Sequence, residues 1–140
     1  MLLVKARGPV EVEAALLAWV RDWLDLLAEG RLEDACARLD EANVYGIRWT
    51  PDAIRDLVED TFGPGTQYRA AHPAGPRFTS VGGARGEATS SVGGYDDGSG
   101  FFVEHDVPLN GEFSELTAQF DFRWRGEGAL AARLHDLHVL

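Results

Sequence analysis

The spacing of apolar positions changes near the middle of the chain, from steps of three and four residues to steps of two. Across Pro9–Glu29, Val12, Leu16, Trp19, Val20, Trp23, Leu24 and Leu27 recur at helical spacing and predict one long amphipathic helix. Gly8 and Pro9 open it, Glu11 and Glu13 stand in the first turn where the helix dipole favours acid, and Gly30 stops it. A shorter helix is predicted over Arg31–Asp40, with Leu32, Ala35, Cys36 and Leu39 inward. A third begins in the segment WTPDAI, where Thr50 can cap, Pro51 fits the first turn and Asp52 complements the dipole. Trp49 and Ile54 stand at the spacing of a hydrophobic staple across that cap. Leu57, Val58 and Phe62 carry the stripe to the Gly63-Pro64-Gly65 break.

Beyond that break the chain turns rich in Gly, Ser, Thr, Val and Phe, and predicts an antiparallel meander. Strands are expected over Gln67–Ala71, Arg77–Val81, Gly86–Asp96, Gly100–Leu109, Phe113–Arg125 and Ala129–Leu140. Asp97-Gly98 and Asn110-Gly111 are hairpin turns by their dipeptides. In the strand after Asn110-Gly111, Leu116, Ala118, Phe120, Phe122 and Trp124 share one face, and Thr117, Gln119, Asp121, Arg123 and Arg125 share the other. The last strand changes phase between Leu134 and Leu137, which predicts a bulge near His135-Asp136. The whole pattern reads as one α+β domain over residues 1–140, in which the change of period marks a boundary between layers.

Length and charge narrow the function. A chain of 140 residues with 45% hydrophobic residues is long enough to bury a core without staples. Its 13 Lys and Arg against 23 Asp and Glu give a net charge of −10, which disfavours nucleic acid or an anionic membrane as partner and favours a basic or neutral one. The acid is spread along the chain, as on an ordinary solvated surface. Cys36 is the only cysteine, so it has no intramolecular disulfide partner, and its apolar neighbours suggest a buried, inert thiol. No stretch is apolar enough to span a bilayer, and the expected location is cytoplasmic.

Helices followed by a long bent meander, with the third helix opening on WTPDAI, resemble the cone-shaped α+β fold of the nuclear transport factor 2-like superfamily. The hairpin VPLNGEFSELTAQFDF is also similar to small bacterial proteins, some of which look like immunity proteins encoded beside toxins. The superfamily resemblance implies three N-terminal helices packed in a strongly curved antiparallel sheet, a pocket in the cone mouth, and dimerisation through the outer sheet face. Members of that superfamily include isomerases, dehydratases, hydrolases and non-catalytic binding domains, so fold alone does not choose among them.

The candidate chemistry is sparse. His105 is the single polar residue in the phase Phe101, Val103, His105, Val107, Leu109, and an imidazole in an apolar cone could act as a general base. Its bland reading is a core histidine bonded to a neighbour. Asp136, near the proposed bulge, could orient and charge that imidazole, or simply hydrate an edge strand. Trp19, Trp23, Tyr45, Trp49, Phe62, Tyr95, Phe120 and Phe122 are candidates to line a ligand pocket or to fill the core. The first helix has no Tyr, so the Tyr-plus-acid oxyanion hole of the steroid isomerases is not supported. His135 and His138, three apart, fall on opposite faces of a regular strand and make no metal signature. The glycines of SVGGARGEA precede no helix and carry no GKS or GKT, and there is no GxSxG, HExxH or CxxC.

No metal or cofactor is therefore expected. The outward polar face of the alternating strand, with Asp121, Arg123 and Arg125, could meet a two-fold copy through reciprocal Arg–Asp contacts, or be solvated. The expectation is a non-catalytic domain that binds a protein partner or small apolar ligand, with an immunity-type protein meeting a basic toxin as its sharpest form. The alternative is a small-molecule lyase or isomerase that uses His105 with Asp136 or a tyrosine.

Overall fold

A computed structural model describes residues 1–5 and 8–140. In chain order the elements are β1 (Leu2–Leu3), α1 (Pro9–Ala28), α2 (Leu32–Ala37), α3 (Pro51–Thr61), α4 (Gln67–Ala71), β2 (Ser90–Gly94), β3 (Gly100–Leu109), β4 (Glu112–Trp124) and β5 (Ala129–Val139). The strands form one antiparallel five-stranded sheet in the order β1-β5-β4-β3-β2. It curls into a half-barrel, and α1 packs on its inner face.

Caps and turns follow local chemistry. The Thr50 side chain accepts from Ala53 N at 3.2 Å, and Pro51 opens α3. Asn110 and Gly111 both take positive φ, 52° and 81°, as a tight turn between right-twisted strands requires. The bulge in β5 is present: Gln119 faces Asp136 while Phe120 faces Leu134, which leaves His135 as the extra residue. A second irregularity lies where Asp106 faces Thr117 but Pro108 faces Phe113. There the Ser114 hydroxyl donates to the Val107 carbonyl at 2.6 Å.

The core lies between α1 and the inner sheet face. Leu16, Val20, Trp23, Leu24 and Leu27 of α1 are buried, as are Val103, Ala118, Phe120, Phe122, Leu130, Leu134 and Leu137. Trp19 meets Phe120 and Phe122 edge-on at 5.5 and 5.3 Å, and Trp23 meets Phe120 at 5.1 Å, each contact adding roughly 0.5–1.5 kcal/mol beyond area burial. Gly100 has no room for a side chain, because an added Cβ would run into the Phe122 carbonyl across the ladder.

Several expected strands are shorter or absent. Gln67–Ala71 is helix α4, because Thr66 caps it through Arg69 N at 3.2 Å and the segment is mostly good helix formers. Arg77–Val81 contributes only a bridge, Phe78 to Leu109, and Gly86–Asp96 contracts to Ser90–Gly94. The second helix stops at Ala37 instead of Asp40, and Asp40 serves the sheet: its backbone N–H donates to the Ala132 carbonyl at 2.9 Å and its carboxylate accepts from Ala132 N at 2.8 Å. Asn43 Nδ2 donates to the His135 carbonyl and Trp49 Nε1 to the Leu134 carbonyl. Together with β1, these groups close the β5 edge of the sheet.

Candidate functional site

His105 sits on β3 opposite Ala118 of β4 and Ser90 of β2, on the inner face, and has no exposed surface. Its Nδ1 lies 2.7 Å from the Asp106 carbonyl oxygen, which can only accept, so Nδ1 carries the proton and donates. Nε2 is left as a buried acceptor without a partner among the described residues. Burial pushes the imidazole below the ordinary histidine range; the bond to the Asp106 carbonyl opposes this, and the Arg21 guanidinium adds to the depression. The ring is neutral at pH 7 and sealed from solvent.

A neutral buried histidine makes stability depend on acid. Between the ordinary histidine pKa of about 6.5 and the lower folded value, the unfolded chain binds a proton that the folded chain does not. The contribution of His105 is therefore complete above about pH 6.5 and is lost as pH falls, at up to about 1.4 kcal/mol per pH unit. Urea unfolding from pH 7 to 5 is expected to show this slope in the natural chain and a flatter one in His105→Leu. Identical slopes would refute the buried neutral state.

Asp136 does not join His105. It faces Gln119, the neighbour of Ala118 on β4, and consecutive residues of a strand point to opposite sides of a sheet. Its Oδ1 instead accepts from Leu137 N at 2.8 Å, and its Oδ2 lies 3.0 Å from His138 Nδ1. The proposed acid–base pair is separated by the thickness of the sheet.

Of the eight aromatic candidates, Tyr95 and Phe120 line one cleft, and the other six are not gathered around it. Trp23, Phe120, Phe122 and Phe62 are core residues, and the half-buried Trp19 closes over Phe120 and Phe122. Trp49 is spent on the β5 edge, Tyr45 is exposed on the loop before α3, and Tyr95 lies on the outer face. Cys36 is half-buried, and that burial pushes its thiol up, away from the reactive thiolate.

The outer face holds a cluster that periodicity alone presents as a solvated stripe. Asp121 is only 4% exposed. Its Oδ1 accepts from the Tyr95 hydroxyl at 2.8 Å and from Arg123 Nε at 3.0 Å, and its Oδ2 accepts from Arg133 Nε at 2.9 Å and also meets Arg133 Nη2. The Arg123 guanidinium lies 4.3 Å over the Tyr95 ring and donates to Ser99 Oγ at 2.6 Å. Burial, followed by the bond to Asp121, pushes the Tyr95 phenol up and keeps it protonated. The Arg and Asp groups expected to reach a second copy are thus engaged within one chain. Arg133 and Ser99 were missed because nothing nearby in sequence ties them to Asp121.

Beside this cluster is a cleft of about 270 Å³, lined by Val44, Phe102, Glu104, Gln119 and His135 among others. A larger one of about 420 Å³ lies among α1, α2, α3 and residues 76–78, walled by Leu27, Leu32, Val58 and Phe78 with Arg55 and Arg77 also lining it. Neither contains His105 or Asp136.

No family model matches the chain, and neither a curated protein nor a solved structure matches it. Among the described residues no helix is long and apolar enough to cross a membrane.

Proposed function

We propose that this chain is a non-catalytic binding domain of the nuclear transport factor 2-like cone architecture, and that it holds a basic protein partner as an immunity-type protein does. The observation that carries this reading is the sealed imidazole: His105 has no exposed surface, and Asp136 lies on the other side of the sheet. A lyase or isomerase needs its base within hydrogen-bond reach of substrate. The interior where that substrate would sit is filled by Trp19, Trp23, Phe120 and Phe122. The curled half-barrel with α1 on its inner face supports the cone architecture, and the net charge of −10 supports a basic partner.

The test is calorimetry with the purified product of an adjacent basic reading frame. A complex is expected that weakens as salt screens the charges, and His105→Gln should leave its affinity unchanged. Turnover of a small carbonyl compound, abolished by His105→Gln in a chain that remains folded, would reverse the assignment in favour of the enzyme.

A further inference from the structure

The two edges of the sheet are treated differently. The β5 edge is covered by β1, Asp40, Asn43 and Trp49. The β2 edge, Ser-Ser-Val-Gly-Gly, has no Lys, no Pro and no bulge, and among the described residues no covering segment is bonded to it. Its register identifies the free groups. Asp106 N donates to the Thr89 carbonyl and Tyr95 N to the Gly100 carbonyl, so those two pairs are hydrogen-bonded pairs of the ladder. Bonding alternates along an antiparallel ladder, which assigns Ser91 and Gly93 to β3. Ser90, Val92 and Gly94 therefore point their N–H and C=O groups away from the sheet.

Two further observations say what this edge receives. A groove of about 170 Å³ runs beside it, formed by Val92, Gly93, Gly94 and Phe101 with Pro9 and Glu13 of α1. Glu13 is exposed and has no ion-pair partner among the described residues. The two glycines also differ in cause. A Cβ at Gly93 would strike the Phe102 ring, which would have to move. At Gly94 it would make only ordinary contact, 3.7 Å from the Phe101 ring, so nothing inside the chain requires glycine there. Close approach of another backbone is one of the reasons for which a strand carries glycine.

We propose that the β2 edge and this groove form a strand-addition site for an extended, basic segment of a partner protein. The segment's backbone bonds Ser90, Val92 and Gly94, and a Lys or Arg on the face shared with Val92 meets Glu13. Gly94, which adds no side chain of its own, leaves room beside the edge for a side chain of the incoming segment. The edge is short, and the groove supplies the side-chain contacts that a few backbone bonds lack. The proposal rests on the binding reading above and gives it a mode and a partner chemistry.

The probe is a displayed library of random linear peptides panned on the full chain, followed by amide hydrogen exchange of the chain with the enriched peptides. The enriched set is expected to be basic with alternating β-branched residues. Adding such a peptide should protect the amides of Ser90, Val92 and Gly94, while Ser91 and Gly93, already bonded, change little. Ser90→Pro removes only an outward donor, so it should leave thermal stability near that of the natural chain and weaken binding at least tenfold. Glu13→Lys should weaken it several-fold and shift selection away from basic peptides.

An acidic or unbiased enriched set, protection elsewhere, or equal binding by Ser90→Pro overturns the proposal. So does failure to enrich any peptide. A natural chain that is dimeric and becomes monomeric on Ser90→Pro also overturns it, by assigning the edge to a second copy. A complex with an adjacent-frame product that tolerates Ser90→Pro leaves the binding function standing and removes only this site.

Discussion

Asp121→Ala is expected to destabilise the fold by about 3–5 kcal/mol, because it strands the charge of Arg133 and a large part of that of Arg123 in a desolvated setting. The Asp121 side chain is 6% exposed and that of Arg133 is 13% exposed, so water cannot replace the carboxylate freely. The Tyr95 hydroxyl loses its acceptor at the same time. Asp121→Asn keeps the shape and an acceptor but not the charge, and should cost less, about 1.5–3 kcal/mol. Removing the stranded charge with Arg133→Met in the Asp121→Ala background should recover part of the loss, since the two sites are directly coupled. Urea unfolding at neutral pH, followed by tryptophan fluorescence, measures all three. A loss below about 1 kcal/mol for Asp121→Ala would mean that the cluster is solvated and contributes little, as exposed ion pairs do.

Trp23→Ala should be of similar size, about 3–5 kcal/mol, by a different mechanism. Trp23 has no exposed surface, packs edge-on against Phe120, and donates Nε1–H to the Ala35 carbonyl at 2.8 Å, tying α1 to α2. Alanine leaves a cavity at the centre of the core and an orphaned carbonyl. Trp23→Phe refills most of the volume and loses the bond alone, so its cost should be nearer 1–3 kcal/mol. The melting temperature of Trp23→Ala should fall by on the order of 10 °C in a domain of this length. A fall of only a degree or two would show that the site collapses around the gap, and that the interior is soft enough to open for a ligand.

These two residues also mark where sequence reading succeeds and where it stops. Trp23 was legible as an inward position because helical spacing repeats within one segment. Its double use as core and as the α1–α2 tie was not, because Ala35 enters only by tertiary contact. Asp121 was legible as an outward residue of β4, yet its burial depends on Arg133, twelve residues away across a hairpin, and on Tyr95, twenty-six residues away. His105 was legible as an inward polar residue. Whether it faced a ligand or a sealed interior depended on the aromatic packing beneath it.

What the chain determines locally is what its nearest neighbours can enforce. The period of α1, the Thr50 cap, the Asn110-Gly111 and Asp97-Gly98 turns and the phase change at His135 each follow from sterics or hydrogen bonding within a few residues. What only the tertiary structure decided is how distant segments complete one another. Leu2–Leu3 became a strand only because β5 lay beside it. Asp40 and Asn43 left their own segments to close that same β5 edge, each reaching a backbone ninety-two residues away. The physical reason is common to all of them: a backbone or charged group that leaves water must find a partner, and the partner is set by where the folded chain passes.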